Sequence, residues 1–172
     1  GLAGPFGPMP TWGVIFGSRT FGAHFARQRE GHIVNTASAA GLFPIPGVGA
    51  YSMSKFAIVG FSLQLRWELA SSGVGVTVVC PGVVRTGIGK AAGAGLERVD
   101  VDAMVARSPT PDRLARKVMR AVRRNRSLVR YGIDSYLLSV FGILPQWLID
   151  PIGRFMGKTA LSFLAENAGT KK

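Results

Sequence analysis

Apolar residues repeat at the spacing of an α-helix in three stretches of this chain. The first covers residues 12–29, and the second, residues 50–70, carries two separate apolar stripes. Residues three and four apart lie on one face of a helix, so two stripes predict a helix that is buried on two sides. The third stretch begins at residues 109–112 and combines an apolar side with many basic residues. The two stripes of the second stretch consist of Phe56, Val59, Leu63, Trp67 and Ala70, and of Ile58, Phe61, Leu65 and Leu69.

Shorter apolar runs between these helices predict β-strands. Two of them, His32–Thr36 and Ser127–Tyr131, are brief, whereas Val74–Cys80 is a nearly continuous run of β-branched residues. A run without polar alternation is typical of a parallel strand that is covered on both faces. Strand, helix and strand in this order predict a βαβ unit, so the fold class is predicted to be α/β.

The remaining segments are rich in residues that end helices and strands. Residues 1–10 contain three glycines and three prolines and are predicted to be a loop. Residues 86–106 are rich in glycine and alanine and are predicted to be a mobile lid. The C-terminal stretch is predicted to form short helices that are broken by Pro145 and Pro151. Neither a repeat nor a linker divides the chain, which predicts a single domain over residues 1–172.

The positive charge of the chain is concentrated in one region. The net charge is +12, and nine of the 21 basic residues lie between Arg107 and Arg130, where Asp112 is the only acidic residue. Such a block is typical either of a surface that binds nucleic acid or an anionic membrane, or of the solvated face of an amphipathic helix. We favour the solvated face and predict no nucleic-acid partner.

Cysteine, histidine and hydropathy limit the location and the chemistry of the protein. Cys80 is the only cysteine, so no disulfide can form within the chain and a reducing cytoplasm is expected. Cys80 itself is predicted to be a small buried residue. His24 and His32 have no cysteine or carboxylate at metal-ligand spacing, so no metal site is predicted. No signal peptide is visible, and the apolar run of residues 136–144 is shorter than the ~20 residues that span a bilayer.

Three polar residues around the second helix have a spacing that suggests acid–base catalysis. Ser38 follows the first predicted strand, and Tyr51 and Lys55 lie four residues apart at the start of the helix, hence on one face. An ammonium group beside a phenol favours the phenolate, so such a tyrosine can exchange a proton near neutral pH. A serine hydroxyl at the end of the neighbouring strand can donate a hydrogen bond to a substrate oxygen. Tyr-x-x-x-Lys alone is a weak motif, because chance produces it often.

Ser38, the Tyr51-x-x-x-Lys55 pair and the strand that runs into Pro81-Gly82-x-x-x-Thr86 together resemble the catalytic part of a short-chain dehydrogenase/reductase. The resemblance is good over residues 12–131 and loose over residues 132–172. It implies a partial Rossmann-type, doubly wound parallel sheet with a helical C-terminal tail. It also implies an oxidoreductase that interconverts a carbonyl and an alcohol with hydride transfer to or from NAD or NADP.

The same resemblance implies a role for each matching residue. Ser38, Tyr51 and Lys55 are the catalytic set, with Tyr51 as the acid/base and Lys55 also bound to the ribose of the cofactor. The segment that holds the nicotinamide carboxamide comprises Pro81, Gly82, Val84 and Thr86. Gly82 is expected there because a residue without a side chain lets the backbone approach a flat ring.

Two parts of the family pattern have no counterpart in the sequence. The glycine-rich T-G-x-x-x-G-x-G turn is absent, and Pro10 stands where the family has a catalytic asparagine. The chain is therefore interpreted as the C-terminal catalytic part of such an enzyme, truncated at its N-terminus. Alone, it is expected to have little or no activity.

The apolar surface of the chain leads to expectations about its partners. The two-striped Tyr51 helix predicts a homo-oligomer that forms through this helix, and the apolar tail predicts a lipophilic carbonyl or alcohol substrate. Two alternatives stay open. One is a non-catalytic remnant or subunit-interaction fragment, and the other is a module that attaches its basic helix and apolar tail to an anionic membrane.

Overall fold

A computed structural model describes residues 9–85 and 108–169, with side chains over residues 11–85 and 108–159. The predicted lid, residues 86–106, lies outside these ranges. The described part of the chain forms five helices and three strands, and short 3₁₀ turns cover Ala39–Gly41 and Ala70–Ser72. The helices and strands are α1 (Met9–Gln28), β1 (Gly31–Thr36), α2 (Gly49–Leu69), β2 (Val74–Pro81), α3 (Pro111–Arg123), β3 (Leu128–Tyr131), α4 (Ile133–Phe141) and α5 (Gln146–Gly169).

The three strands form one parallel sheet in the order β1-β2-β3. In the central strand β2, every residue from Val74 to Cys80 is buried, as its uninterrupted apolar run predicts. Val78 aligns with Asn35 on one side and with Leu128 on the other. The predicted α/β class and the partial Rossmann-type parallel sheet are confirmed.

Helices cover both faces of this sheet. On one face, Val76, Val78 and Cys80 pack with Ile58 and Leu65 of α2. On the other face, the helix α3 covers the sheet through a cluster of three buried residues, which are Val79, Ala121 and Val129. Burial on both faces explains why β2 lacks the alternation of a half-exposed strand.

A buried polar network connects α1, β1 and α2. The Asn35 side-chain amide donates to the Ser18 hydroxyl at 3.1 Å and to the Ser62 hydroxyl at 3.0 Å. Ser62 in turn donates to the carbonyl of Ile58 at 2.7 Å, one turn earlier in α2. Since each buried polar group has a partner, the network holds both helices in register with the strand without a desolvation penalty.

Two boundary predictions are wrong. Residues 9–10 begin α1 rather than ending the predicted loop, because proline is compatible with the first turn of a helix. Pro151 lies inside the continuous helix α5 instead of breaking it. The carbonyl that loses its partner at Pro151 belongs to Trp147, an exposed residue, so water can reach this end of the helix.

His32 is held in one tautomer by its neighbours. The Thr77 hydroxyl donates its hydrogen to the carbonyl of Arg126 at 2.6 Å. The His32 Nε2 atom lies 2.8 Å from the same hydroxyl oxygen, which can then only accept, so Nε2 carries the hydrogen of this second bond. Burial, and secondarily the positive charge of Arg66, lower the pKa of His32 below its usual value. The folded protein therefore favours the neutral ring.

The free energy of unfolding is expected to fall as the pH is lowered through the ordinary histidine range. The unfolded chain binds a proton on His32 at a higher pH than the folded chain does, so acid favours unfolding. His32→Gln keeps a donor for Thr77 but removes the titration. Urea unfolding between about pH 7.5 and about pH 5 should therefore show a shallower pH dependence in this variant than in the wild type. Equal slopes would contradict the prediction.

Candidate active site at the carboxyl edge of the sheet

The carboxyl ends of the strands bring two of the predicted site residues, Ser38 and Pro81, to one edge of the sheet. Thr36 and Val79 form the last aligned pair of β1 and β2, and Ser38 and Pro81 each follow that pair by two residues. The Ala37 amide donates to the Val79 carbonyl at 2.8 Å, and the Gly82 amide donates to the Tyr131 carbonyl at 2.7 Å. Ligands of open parallel sheets bind at this edge, where the strands end.

Ser38 leaves β1 in an extended conformation and caps the following 3₁₀ turn. Its hydroxyl oxygen accepts a hydrogen bond from the Ala40 amide at 3.2 Å. The side chain is half-buried. Because the turn uses only an acceptor site of the oxygen, the hydroxyl can still donate its hydrogen to a ligand.

Gly41 packs the turn after Ser38 directly against the helix α2. A Cβ atom at position 41 would lie 2.6 Å from the carbonyl oxygen of Lys55 and 3.1 Å from a methyl group of Val59. Only glycine permits this approach of two backbones. The contact joins the segment that carries Ser38 to the helical turn that carries Lys55, although the residues are distant in the sequence.

Tyr51 and Lys55 face each other across the first turns of α2. The Lys55 Nζ atom lies 5.3 Å from the centroid of the Tyr51 ring, which is a cation–π distance. Both side chains are half-buried. Burial lowers the pKa of Lys55 below its usual value, because desolvation disfavours the charged ammonium. The predicted pairing of a phenol with an amine at the start of this helix is present.

The segment Pro81–Val84 is held in place by the start of α4. The Val83 amide donates to the Asp134 carboxylate at 2.8 Å, and the Ser135 hydroxyl donates to the carbonyl of Cys80 at 2.6 Å. Ser135 is fully buried. These two bonds fix the backbone of the segment that follows β2.

Asp134 also gives a reason for Gly82 that the sequence did not suggest. A Cβ atom at Gly82 would overlap the Asp134 carboxylate, so the missing side chain makes room for this carboxylate. Asp134 and Ser135 were not predicted as site residues. Their only sequence signal is an acidic residue in the first turn of a helix that starts directly after a strand.

Three further expectations concern the chemistry at this edge. Burial raises the pKa of the Cys80 thiol to about 12, so Cys80 is an inert core residue, as predicted. Among the side chains described, those of residues 11–85 and 108–159, no group of three or more His, Cys, Asp or Glu residues could hold a metal ion. Thr86, predicted to hold the cofactor, lies outside the described residues.

Comparison with known proteins places these features in context. The model of the short chain dehydrogenase family matches residues 10–97. The "Probable oxidoreductase EphD" of Mycobacterium tuberculosis is 38% identical over 149 residues, which are 79% of this chain but 25% of that protein. This chain therefore spans about a quarter of the length of that curated relative.

Two solved structures share the fold. A short-chain dehydrogenase/reductase from Burkholderia phymatum in complex with NAD is 29% identical, with a TM-score of 0.62 over 80% of this chain and 55% of that chain. A short-chain dehydrogenase from Sphingobium yanoikuyae in complex with NADPH is 21% identical, with a TM-score of 0.62 over 80% of this chain and 55% of that chain.

Proposed function

Given that this chain belongs to the short-chain dehydrogenase family of oxidoreductases, we propose that it carries the acid–base site for the interconversion of a carbonyl and an alcohol. The observation that carries the proposal is the pairing of Tyr51 with Lys55 at the carboxyl edge of a parallel sheet, next to the Ser38 turn. The cofactor is NAD or NADP, since relatives of the same fold were solved with each of them.

In this mechanism, the protein positions the reacting oxygen and moves one proton. The Ser38 hydroxyl donates a hydrogen bond to the substrate oxygen. When the carbonyl is reduced, the Tyr51 hydroxyl transfers its proton to that oxygen, and when the alcohol is oxidised, the phenolate takes the proton back. Lys55 stabilises the phenolate through its charge. The nicotinamide ring, when bound, supplies or accepts the hydride.

The residues at this edge fit a nicotinamide cofactor. In the proposal, the half-buried Lys55 amine donates to the hydroxyls of the ribose, and the backbone of Pro81, Gly82 and Val84 binds the carboxamide. In support, the neighbouring Val83 amide and Cys80 carbonyl are held by hydrogen bonds from α4. Thr86 belongs to the same proposal by its place in the Pro81-Gly82-x-x-x-Thr86 motif.

The proposal is tested by turnover of the purified protein that contains this chain. The panel should pair NADH and NADPH with aldehydes and ketones, and the oxidised cofactors with alcohols, each set ranging from small polar to lipophilic compounds. We expect consumption of one cofactor and a preference for lipophilic substrates, given the apolar C-terminal helices. Absence of turnover and of cofactor binding throughout would favour the second candidate, a non-catalytic subunit-interaction role.

Asp134 is proposed to position the cofactor segment rather than to touch the reacting atoms. Asp134→Ala removes the carboxylate that accepts the hydrogen bond of the Val83 amide, and this bond is charge-assisted. The KM for the cofactor is expected to rise about tenfold, because the loss of such a bond is typically equivalent to a factor of this size in affinity. The kcat should change less, since Tyr51 and Lys55 lie on another helix.

Asp134→Asn is the matched control for this prediction. Asparagine keeps a carbonyl oxygen of the same shape for the Val83 amide, so most of the affinity for the cofactor should return. If Asp134→Ala lowers the melting temperature while both KM and kcat stay at wild-type values, Asp134 only stabilises the fold.

The exposed residues of one α2 stripe are proposed to bind a second copy of the chain. Ile58 and Leu65 of the other stripe are buried. In the stripe proposed to bind, Val59 and Leu63 pack partly against the core, whereas Phe56 and Trp67 are exposed, Trp67 by 73%. An apolar helix face without a cover is typical of an interface. Trp67→Ser is therefore expected to weaken self-association by about tenfold or more, as sedimentation velocity would measure. A wild-type chain that sediments as a monomer at high concentration would contradict this.

A further inference from the structure

The outward face of α5 is an apolar strip with cations along one side. Trp147 is 72% exposed and Phe155 is 73% exposed, which are unusually high values for large aromatic residues. Leu148 and Ile152 are exposed beside them. We call these four side chains, together with the neighbouring Arg154 and Lys158, the α5 face. The aromatic and basic residues of this face line an open concavity, together with Asp150 and Pro151.

Helix geometry places these side chains on one side of α5. At 3.6 residues per turn, Trp147, Phe155, Leu148 and Ile152 fall within an arc of about 140°. Ile149, which is buried, lies outside this arc, about 130° from its centre. Arg154 and Lys158 are both exposed and fall at the edge of the arc next to Trp147. The helix therefore carries an exposed strip that is apolar along most of its width and basic at one edge.

Both the apolar and the basic residues of the strip are suited to the interface of an anionic bilayer. Tryptophan and phenylalanine are the residues that settle at the boundary between headgroups and acyl chains, and arginine and lysine next to them reach the phosphates. Asp150, the acidic residue in this concavity, accepts a hydrogen bond from Gln146 at 2.6 Å. The net charge of +12 adds attraction to any anionic surface.

The charges argue against a second copy of the chain as the occupant. A two-fold symmetric contact through this face would place the Arg154 and Lys158 pair of one chain near the same pair of the other. These like charges, which are exposed in each chain, would repel each other across the contact. The same repulsion does not arise at an anionic lipid surface.

A second surface of the same kind lies on α4. Ile133, Leu137 and Val140 are exposed at helical spacing. Two cations lie against Tyr136 of the same helix, since the Lys117 Nζ atom is 2.8 Å from its hydroxyl and the Arg130 guanidinium is 5.8 Å from its ring centroid. Apolar exposure flanked by cations is thus a repeated feature of the C-terminal part. No helix over residues 9–85 and 108–169 has both the length and the apolarity to cross a bilayer.

We propose that the α5 face docks flat on the surface of an anionic phospholipid bilayer. The aromatic side chains enter the boundary between headgroups and acyl chains, and Arg154 and Lys158 bind the phosphates. This docking is independent of the dehydrogenase chemistry, because none of its residues belongs to the Ser38, Tyr51 and Lys55 site.

Sedimentation of the purified 172-residue chain with vesicles tests the proposal. One set of vesicles contains phosphatidylcholine alone, and the other contains equal amounts of phosphatidylglycerol and phosphatidylcholine. We expect binding to the anionic vesicles and little binding to the neutral ones. The double variant Arg154→Gln/Lys158→Gln should bind the anionic vesicles about thirtyfold more weakly, and Trp147→Ser/Phe155→Ser about tenfold or more weakly.

Trp12→Ser is the matched control, because it removes an exposed tryptophan from another helix, α1, to which no binding role is given. It should bind anionic vesicles like the wild type, and all variants should keep the wild-type circular dichroism. In addition, Trp147 in the variant Trp12→Phe/Trp67→Phe should be quenched by brominated lipid, which reports its insertion without any change to the α5 face.

Several results would overturn the proposal. These are equal binding to both kinds of vesicle, no binding to either, or an equal loss of binding in Trp12→Ser. If Trp147→Ser/Phe155→Ser instead dissociates an oligomer in lipid-free buffer, the face belongs to a second copy. If duplex DNA binds tightly and its binding depends on Arg154 and Lys158 but not on the two aromatic residues, the face belongs to nucleic acid.

Discussion

Tyr51→Phe is expected to lower the kcat of the protein that contains this chain by about 10²–10⁴-fold, the usual contribution of a general acid–base group. The substitution removes one hydroxyl and keeps the ring, which is half-buried and lies 5.3 Å from the Lys55 amine. The packing of α2 should therefore be unchanged. Binding of the reduced cofactor, measured by fluorescence titration, should persist in the variant while turnover is lost.

Tyr136→Phe is the matched control for this experiment. Tyr136 also pairs with a lysine, since the Lys117 Nζ atom donates to its hydroxyl at 2.8 Å and lies 4.9 Å from its ring centroid. It is an exposed residue of α4 and does not belong to the motif. Its variant should keep wild-type turnover. If Tyr51→Phe stays active, or if both variants lose activity equally, Tyr51 is not the acid–base group.

Gly41→Ala is expected to destabilise the fold by about 1–3 kcal/mol, the usual cost of adding a group to a well-packed site. The new methyl group would lie 2.6 Å from the Lys55 carbonyl oxygen, and a backbone atom cannot rotate away as a side chain can. The turn after Ser38 must then move away from α2. Because this movement separates Ser38 from the Tyr51 helix, turnover should fall together with stability.

Gly60→Ala controls for the general effect of replacing a glycine. Gly60 lies in the middle of α2, and a Cβ atom there would meet no atom within 4 Å. Alanine is the better helix former by about 1 kcal/mol, so this variant should be slightly more stable than the wild type. Urea unfolding at constant pH compares the two variants. Equal midpoints would contradict the role given to Gly41.

Local pattern predicted most elements of the fold. The continuous apolar run of residues 74–80 predicted the central strand, and the structure extends it by only one residue, to Pro81. The helix predicted over residues 50–70 occupies Gly49–Leu69. Both predictions succeeded because they depend only on neighbouring residues: a strand buried on both faces is a continuous apolar run, and a helix has apolar residues three and four positions apart. Proline was less informative, since Met9 begins a helix just before Pro10, and Pro151 lies inside another.

The sequence by itself determined the α/β class and the order of strands and helices along the chain, because each depends on the pattern within short stretches. It predicted the Ser38, Tyr51 and Lys55 set through its resemblance to a known family. Only the tertiary structure showed that Gly41 packs against the Lys55 backbone, and that Asp134 holds the Val83 amide. It alone also showed that Phe56 and Trp67 of one α2 stripe are exposed, whereas Ile58 and Leu65 of the other are buried. Such contacts join residues far apart in the sequence, and their partners depend on how the helices pack on the sheet, which no local periodicity records.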